Sequence, residues 1–163
     1  MELRIKKITD SNFMDKQVFQ FLWNKYVEEL KAMDGSVELT PEDATDIFKQ
    51  EDTSVYLIVS DAMTSGFMVV GNPPMNCPTS CEYYIQEFYI MDKFQNKGLG
   101  KQAMKQFITE HKGNYFLYIL KKNVRAQHFW KKVVSVNGCE YFETNENIEN
   151  FDNTDYLLFK TKG

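Results

Sequence analysis

The segment best suited to hold an anion begins where a strand-like run closes at Ile90, passes through Met91-Asp92-Lys93-Phe94, and continues as Gln95-Asn96-Lys97-Gly98-Leu99-Gly100-Lys101. Glycines there let the main chain approach a ligand closely. The first turn of a helix also carries unpaired N–H groups and the positive end of the helix dipole. Lys97, Gly98, Leu99, Gly100 and Lys101 are therefore placed to present amides to a phosphate. A bare G-x-G is weak by itself, because a tight turn before a helix uses the same residues. The nucleotide patterns G-x-x-x-x-G-K-[ST] and G-x-G-x-x-G are absent, since Ala103 stands three residues after Gly100. Glu87 is the one carboxylate on the strand leading into this turn, where a proton acceptor would be useful. A glutamate on a solvated sheet face is the plainer alternative.

The elements that must position these residues follow from periodicity. Leu3, Ile5 and Ile8 mark a short first strand. Val18, Leu22, Tyr26, Leu30 and Met33 recur at helical spacing, and Asp34-Gly35 supplies a stop. Thr40-Pro41-Glu42-Asp43 has the form of a capped start to a second, short helix. Val55–Val59 and Phe67–Val70 are β-rich runs joined by the turn-like Ser60 to Gly66, which predicts an antiparallel hairpin. The proline-rich stretch from Asn72 to Cys81 is expected to be irregular and to be a variable substrate loop. Tyr83 to Ile90 is a long strand, with Tyr83, Ile85, Glu87 and Tyr89 on one face and Tyr84, Gln86, Phe88 and Ile90 on the other.

After the glycines, Leu99, Ala103, Phe107 and Ile108 mark the apolar side of a helix that Gly113-Asn114 ends. Tyr115 to Leu120 is apolar on both faces, as a central strand is. A helix from about Val124 to Val134 and strands near Cys139–Phe142 and Tyr156–Phe159 complete the order. The expected fold is an α/β (α+β) domain, a mixed central sheet of about six to seven strands with about four flanking helices, occupying residues 1–163 as a single domain.

A chain of 163 residues with 43% hydrophobic content is globular in composition. No apolar run of roughly 18 residues exists to span a bilayer, and the start lacks a secretory core, so the expected location is cytoplasmic and away from membrane. Cys77, Cys81 and Cys139 read as free thiols, and His111 and His128 as solvated or packed, so no metal site is expected. The net charge of −4 argues against a general affinity for nucleic acid. Its distribution is uneven. Lys93, Lys97, Lys101, Lys105, Lys112, Lys121, Lys122, Arg125, Lys131 and Lys132 are opposed only by Glu110, whereas Glu28 to Asp52 is rich in acids. Solvated faces explain much of this; the sharper reading is a basic half for a polyanion and an acidic half near a cationic acceptor.

Gln95-x-x-Gly98-x-Gly100 resembles the Q/R-x-x-G-x-G/A signature of the GNAT superfamily of N-acetyltransferases. Asn123-Val124-Arg125-Ala126-Gln127-His128-Phe129-Trp130-Lys131-Lys132 is similar to the family's second motif, N-x-x-A-x-x-F-Y-x-K. The element order matches along nearly the whole chain. The resemblance implies acetyl-CoA as cosubstrate and transfer of its acetyl group to a primary amine, by direct attack on the thioester. It implies that Phe88, Tyr89 and Ile90 pair with the pantetheine arm, and that amides from Gln95 through Asn96, Lys97, Gly98, Leu99 and Gly100 to Lys101 take the pyrophosphate. It implies further that Asn123 contacts the pantetheine or orders its turn, that Phe129 and Trp130 line the thioester end, and that Glu87 is a general base, its pKa raised by surrounding Tyr and Phe rings.

One departure is Trp130, at a position where relatives often place a tyrosine acid. An indole N–H has no usable proton at neutral pH. Either another tyrosine, such as Tyr118 or Tyr141, reaches the sulfur, or the thiolate leaves unassisted. A coenzyme A-binding module without catalysis is the alternative this departure keeps open. The acceptor, small molecule or protein, is not readable, and a homodimer is left open because relatives often pair.

Overall fold

The computed structural model describes residues 2–73, 81–137, 140–141 and 151–161. The expected substrate loop falls largely outside them, as do Cys77 and Cys139. The elements are β1 (Leu3–Ile8), α1 (Phe13–Met33), α2 (Asp43–Asp46) continued by a 3-10 turn at Ile47–Lys49, β2 (Ser54–Ser60), β3 (Met63–Gly71) and β4 (Tyr83–Ile90). A 3-10 turn at Asp92–Phe94 then leads to α3 (Leu99–Glu110), β5 (Asn114–Leu120), α4 (Val124–Val136), β6 (Glu140–Tyr141) and β7 (Thr154–Lys160). Among the described residues no helix is long and apolar enough to cross a membrane.

The chain divides into two compact units, Met1–Val70 with Glu87–Ala103 and Gly71–Gln86 with Met104–Gly163. Strand order is β1-β2-β3-β4 in the first and β4-β5-β7-β6 in the second. Pairing is antiparallel for β1/β2, β2/β3, β5/β7 and β6/β7 and parallel for β4/β5. The sheet is mixed and flanked by four helices, the expected fold class.

In the first unit, Phe19, Leu22, Trp23 and Val27 of α1 pack with Ala44, Ile47, Val55, Leu57, Phe67, Val69 and Tyr89. Ile58, Ile90 and Ala103 form a separate cluster with Phe88 and Phe94 packed against it. Alternation along β4 sends Tyr89 to the α1 cluster and Phe88 and Ile90 to the other. The buried stripe of α1 is wider than its sequence period shows, because Phe19, Trp23 and Val27 join Leu22 and Leu30, while Met33 stays exposed. Asn12 caps α1 by accepting from the Asp15 amide, and the Trp23 indole N–H donates to the Thr40 carbonyl at 2.8 Å, fastening α1 to the approach to α2.

One expected turn is corrected, and the expected stop at Asp34-Gly35 is where α1 ends. The β2/β3 hairpin closes through Asp61 and Ala62 alone, both at positive φ (49° and 65°), so Met63 to Gly66 are strand rather than turn. Positive φ at both central residues matches the right-handed twist of the paired strands. Helix α1 ends on Asp34 in extended conformation, not on a left-handed glycine; the buried Asp34 carboxylate accepts from the Ser36 amide and hydroxyl at 2.9 and 2.6 Å.

In the second unit, β5 is buried on both faces through Tyr115, Phe116, Leu117 and Ile119, as a strand flanked by β4 and β7 must be. Tyr115 stacks on Phe159, with ring centroids 4.9 Å apart. Helix α4 buries Trp130, Val133 and Val134.

Candidate active site

Glu87 lies near the end of β4 on the face that meets α1. Its Oε2 accepts a hydrogen bond from the Tyr26 hydroxyl. Two residues on, the Tyr89 hydroxyl donates to Glu29 Oε1 at 2.9 Å. Period two on the strand and period three to four on the helix bring these pairs into line, Glu87 and Tyr89 against Tyr26 and Glu29. The Tyr26 ring is held by Phe67 and Tyr89, both with centroids at 5.4 Å, and by Trp23 at 5.6 Å.

Burial among these groups pushes the Glu87 carboxyl from an ordinary 4.5 up to about 7; the Tyr26 hydrogen bond pulls it down, and the negative charge of Asp43 raises it further. The residue is half-buried. Near pH 7 its carboxyl is divided between acid and carboxylate, the condition in which a side chain exchanges protons most effectively. Tyr89 is held above the ordinary phenol range by burial and then by the Glu29 carboxylate it hydrogen-bonds, so it stays protonated. Tyr26, Glu29 and Asp43 were not foreseen as parts of this constellation. Tyr26 reads in the sequence as one position of an apolar stripe, and the acids as solvated faces or as an acidic half near a cationic acceptor.

The glycine-bearing turn follows. Gln95 Nε2 donates to the Ile90 carbonyl at 2.7 Å, and the Gln95 amide donates to the Asp92 carbonyl at 3.1 Å. Asn96 and Gly98 adopt left-handed backbone, with φ of 61° and 77°, which swings the chain into α3. The Gly98 carbonyl accepts from the Gln102 amide at 3.0 Å, the first helical bond. Among the described residues, the amides from Asn96 to Lys101 donate to no protein acceptor. Lys93 and Lys97 place their Nζ atoms 5.1 and 5.9 Å from the centre of the Phe94 ring, adding positive charge beside the turn. Six amides, a helix start and two lysines gather positive charge at one turn, a combination suited to an anion. The Gln95 amide and the Ile90 carbonyl are committed to the turn itself, so the run of unengaged amides starts at Asn96.

In the second unit, the Asn123 side chain accepts from the Ala126 amide at 3.1 Å, capping α4. Phe129 is half-buried and meets Trp130 at 5.1 Å, edge to face, while Trp130 is only 5% exposed. Tyr118 is half-buried against Tyr84, Phe116 and Phe151. The side chain of Tyr141 lies outside the described residues.

The family model for the acetyltransferase (GNAT) family matches residues 17–134. The chain belongs to this family. It is accordingly an acetyl-CoA-dependent N-acetyltransferase. Solved structures agree on the fold. Tetrahymena GCN5 superposes with a TM-score of 0.69 at 11% identity, over 99% of this chain and 97% of that one. An acetyltransferase from Thermus thermophilus gives 0.68 at 15% identity, over 97% and 96%. The Campylobacter jejuni N-acetyltransferase PseH, in complex with acetyl coenzyme A, gives 0.56 at 14% identity, over 99% and 100%. No curated protein matches the sequence.

Proposed function

We propose that this GNAT acetyltransferase acetylates a primary amine, with Glu87 as general base and the amides of Asn96 to Lys101 as the seat of the acetyl-CoA diphosphate. Acetyl-CoA supplies an activated acetyl thioester. The amine nitrogen forms the new C–N bond as the C–S bond breaks, and the proton it loses passes to Glu87, directly or through water. The observation that carries this reading is a carboxyl with a pKa of about 7, on the strand that leads directly into a turn of unengaged amides.

Amines of small molecules and of proteins arrive mostly as ammonium, and Glu29, Asp43 and Glu87 all offer negative charge on this side of the first unit. A cationic acceptor fits that charge. The indole of Trp130 gives no proton, so the thiolate, with a solution pKa of about 8.5, leaves without an acid. Asn123 orders the start of α4, and the main chain at Phe88 and Tyr89 aligns the pantetheine arm. The protein works in the cytoplasm.

The test follows thiol release against pH with a panel of amines, comparing wild type with Glu87→Gln. Wild-type turnover is expected to fall below a midpoint near pH 7. The variant is expected to lose that limb and to be slower by about 10²–10⁴-fold at pH 8, the usual worth of a positioned base. Full turnover by Glu87→Gln across the same range would remove Glu87 from the chemistry.

A further inference from the structure

We infer that Tyr26 is a positioning residue for the acetyl transfer: its hydroxyl, given to Glu87 Oε2, holds the carboxylate in one orientation and leaves Oε1 as the oxygen that takes the amine proton. This rests on the reading of Glu87 as base.

Tyr26 and Glu87 are far apart in sequence, and the bond between them joins α1 to β4. No rotation of the phenol is needed to make it, because Trp23, Phe67 and Tyr89 hold the ring on three sides. The other nearby phenol does not compete, since the Tyr89 hydroxyl is committed to Glu29. Among the described residues Glu87 Oε1 accepts no hydrogen bond. Among the described residues, the titratable groups that act on this carboxyl are Tyr26 from α1 and Asp43 from α2, while Tyr89 and Glu29 pair with each other. Asp43 raises the carboxyl pKa, and among the described residues the Tyr26 hydrogen bond is what stabilises the carboxylate. Without this bond the carboxyl would hold its proton more tightly, because the bond is the one lowering influence on it, and would lose the contact that orients it. The Tyr26 hydroxyl corrects both, which is why helix α1, distant from the glycine turn in sequence, matters to turnover.

The test is Tyr26→Phe, which keeps the ring and deletes the donor. Two readouts are used: the pH profile of thiol release with spermidine or a peptide with a free N-terminus as the amine, and the titration of the Glu87 carboxyl by 13C NMR, assigned from Glu87→Gln. A hydrogen bond to a charged group is worth enough to move both midpoints up by about one pH unit, so turnover falls up to about tenfold at pH 6 and is nearly unchanged at pH 9. The KM for acetyl-CoA should not change. Replacing Tyr26 by 3-fluorotyrosine, a better donor of nearly the same size, should move both midpoints down, an opposite sign that loss of packing does not produce; this arm also serves if Tyr26→Phe does not fold. Should Glu87→Gln abolish the acid limb while both Tyr26 changes leave the midpoints at the wild-type value, the inference fails alone. Should Glu87→Gln retain the limb, the base reading fails.

Discussion

Glu87→Gln is expected to make the protein more stable above neutral pH while making it a poorer enzyme. The folded protein raises the Glu87 pKa from 4.5 to about 7, so the fold binds this proton more tightly than the unfolded chain does. The resulting contribution is complete below pH 4.5, declines between the two values, and is gone once the pH passes about 7, where an ionised carboxylate must be kept in packed surroundings. A difference of about 2.5 units at about 1.36 kcal/mol each sets a ceiling of about 3 kcal/mol. Partial solvent access at this half-buried residue lowers the expected gain to about 1–3 kcal/mol. Glutamine cannot ionise, and its amide oxygen can still accept from Tyr26. For a chain of this length each kcal/mol is worth about 2–4 °C, so the variant should melt roughly 2–12 °C above wild type at pH 8.5 and level with it near pH 4.5. The assay is thermal unfolding of both proteins without acetyl-CoA from pH 4.5 to 9. A difference that does not grow with pH, or a variant less stable than wild type at pH 8.5, would refute the reasoning.

Gly98→Ala should cost about 1 kcal/mol, from the left-handed backbone alone, because an added Cβ meets nothing within 4 Å. Its main effect should be a raised KM for acetyl-CoA with kcat retained at saturation, checked by steady-state kinetics. Gly66→Ala should destabilise by more than about 2 kcal/mol in chemical denaturation, because a Cβ there would overlap the Tyr89 carbonyl oxygen on β4. Trp130→Phe should leave the alkaline side of the pH profile unchanged, since the indole donates no proton to the departing thiolate.

Strand β4 was legible to its end residues because six aromatic or β-branched residues in a run of eight are bounded by polar chain and a turn. Strand β5 was legible because its apolar run has no period, which only a strand buried on both faces tolerates. The hairpin turn was misplaced for a physical reason. Ser65 and Gly66 have turn propensity, but pairing with β2 keeps them extended. Gly66 lacks a side chain because β4 approaches it, with the Met91 amide donating to the Ser65 carbonyl at 2.8 Å. At the candidate site, Glu87 stood out as a lone acid on its strand, and the glycines as a helix start. Its partner Tyr26 did not, because the contact is long-range and tyrosine on an amphipathic helix carries the same signal as any core residue. Gln95 and Asn123, conspicuous in their motifs, spend their side chains on the turn and the helix cap they belong to.

The most direct test is a crystal structure of the protein with coenzyme A. The account predicts diphosphate oxygens at about 2.7–3.2 Å from several amides between Asn96 and Lys101. A diphosphate bound away from this turn, with those amides facing water alone, would contradict it.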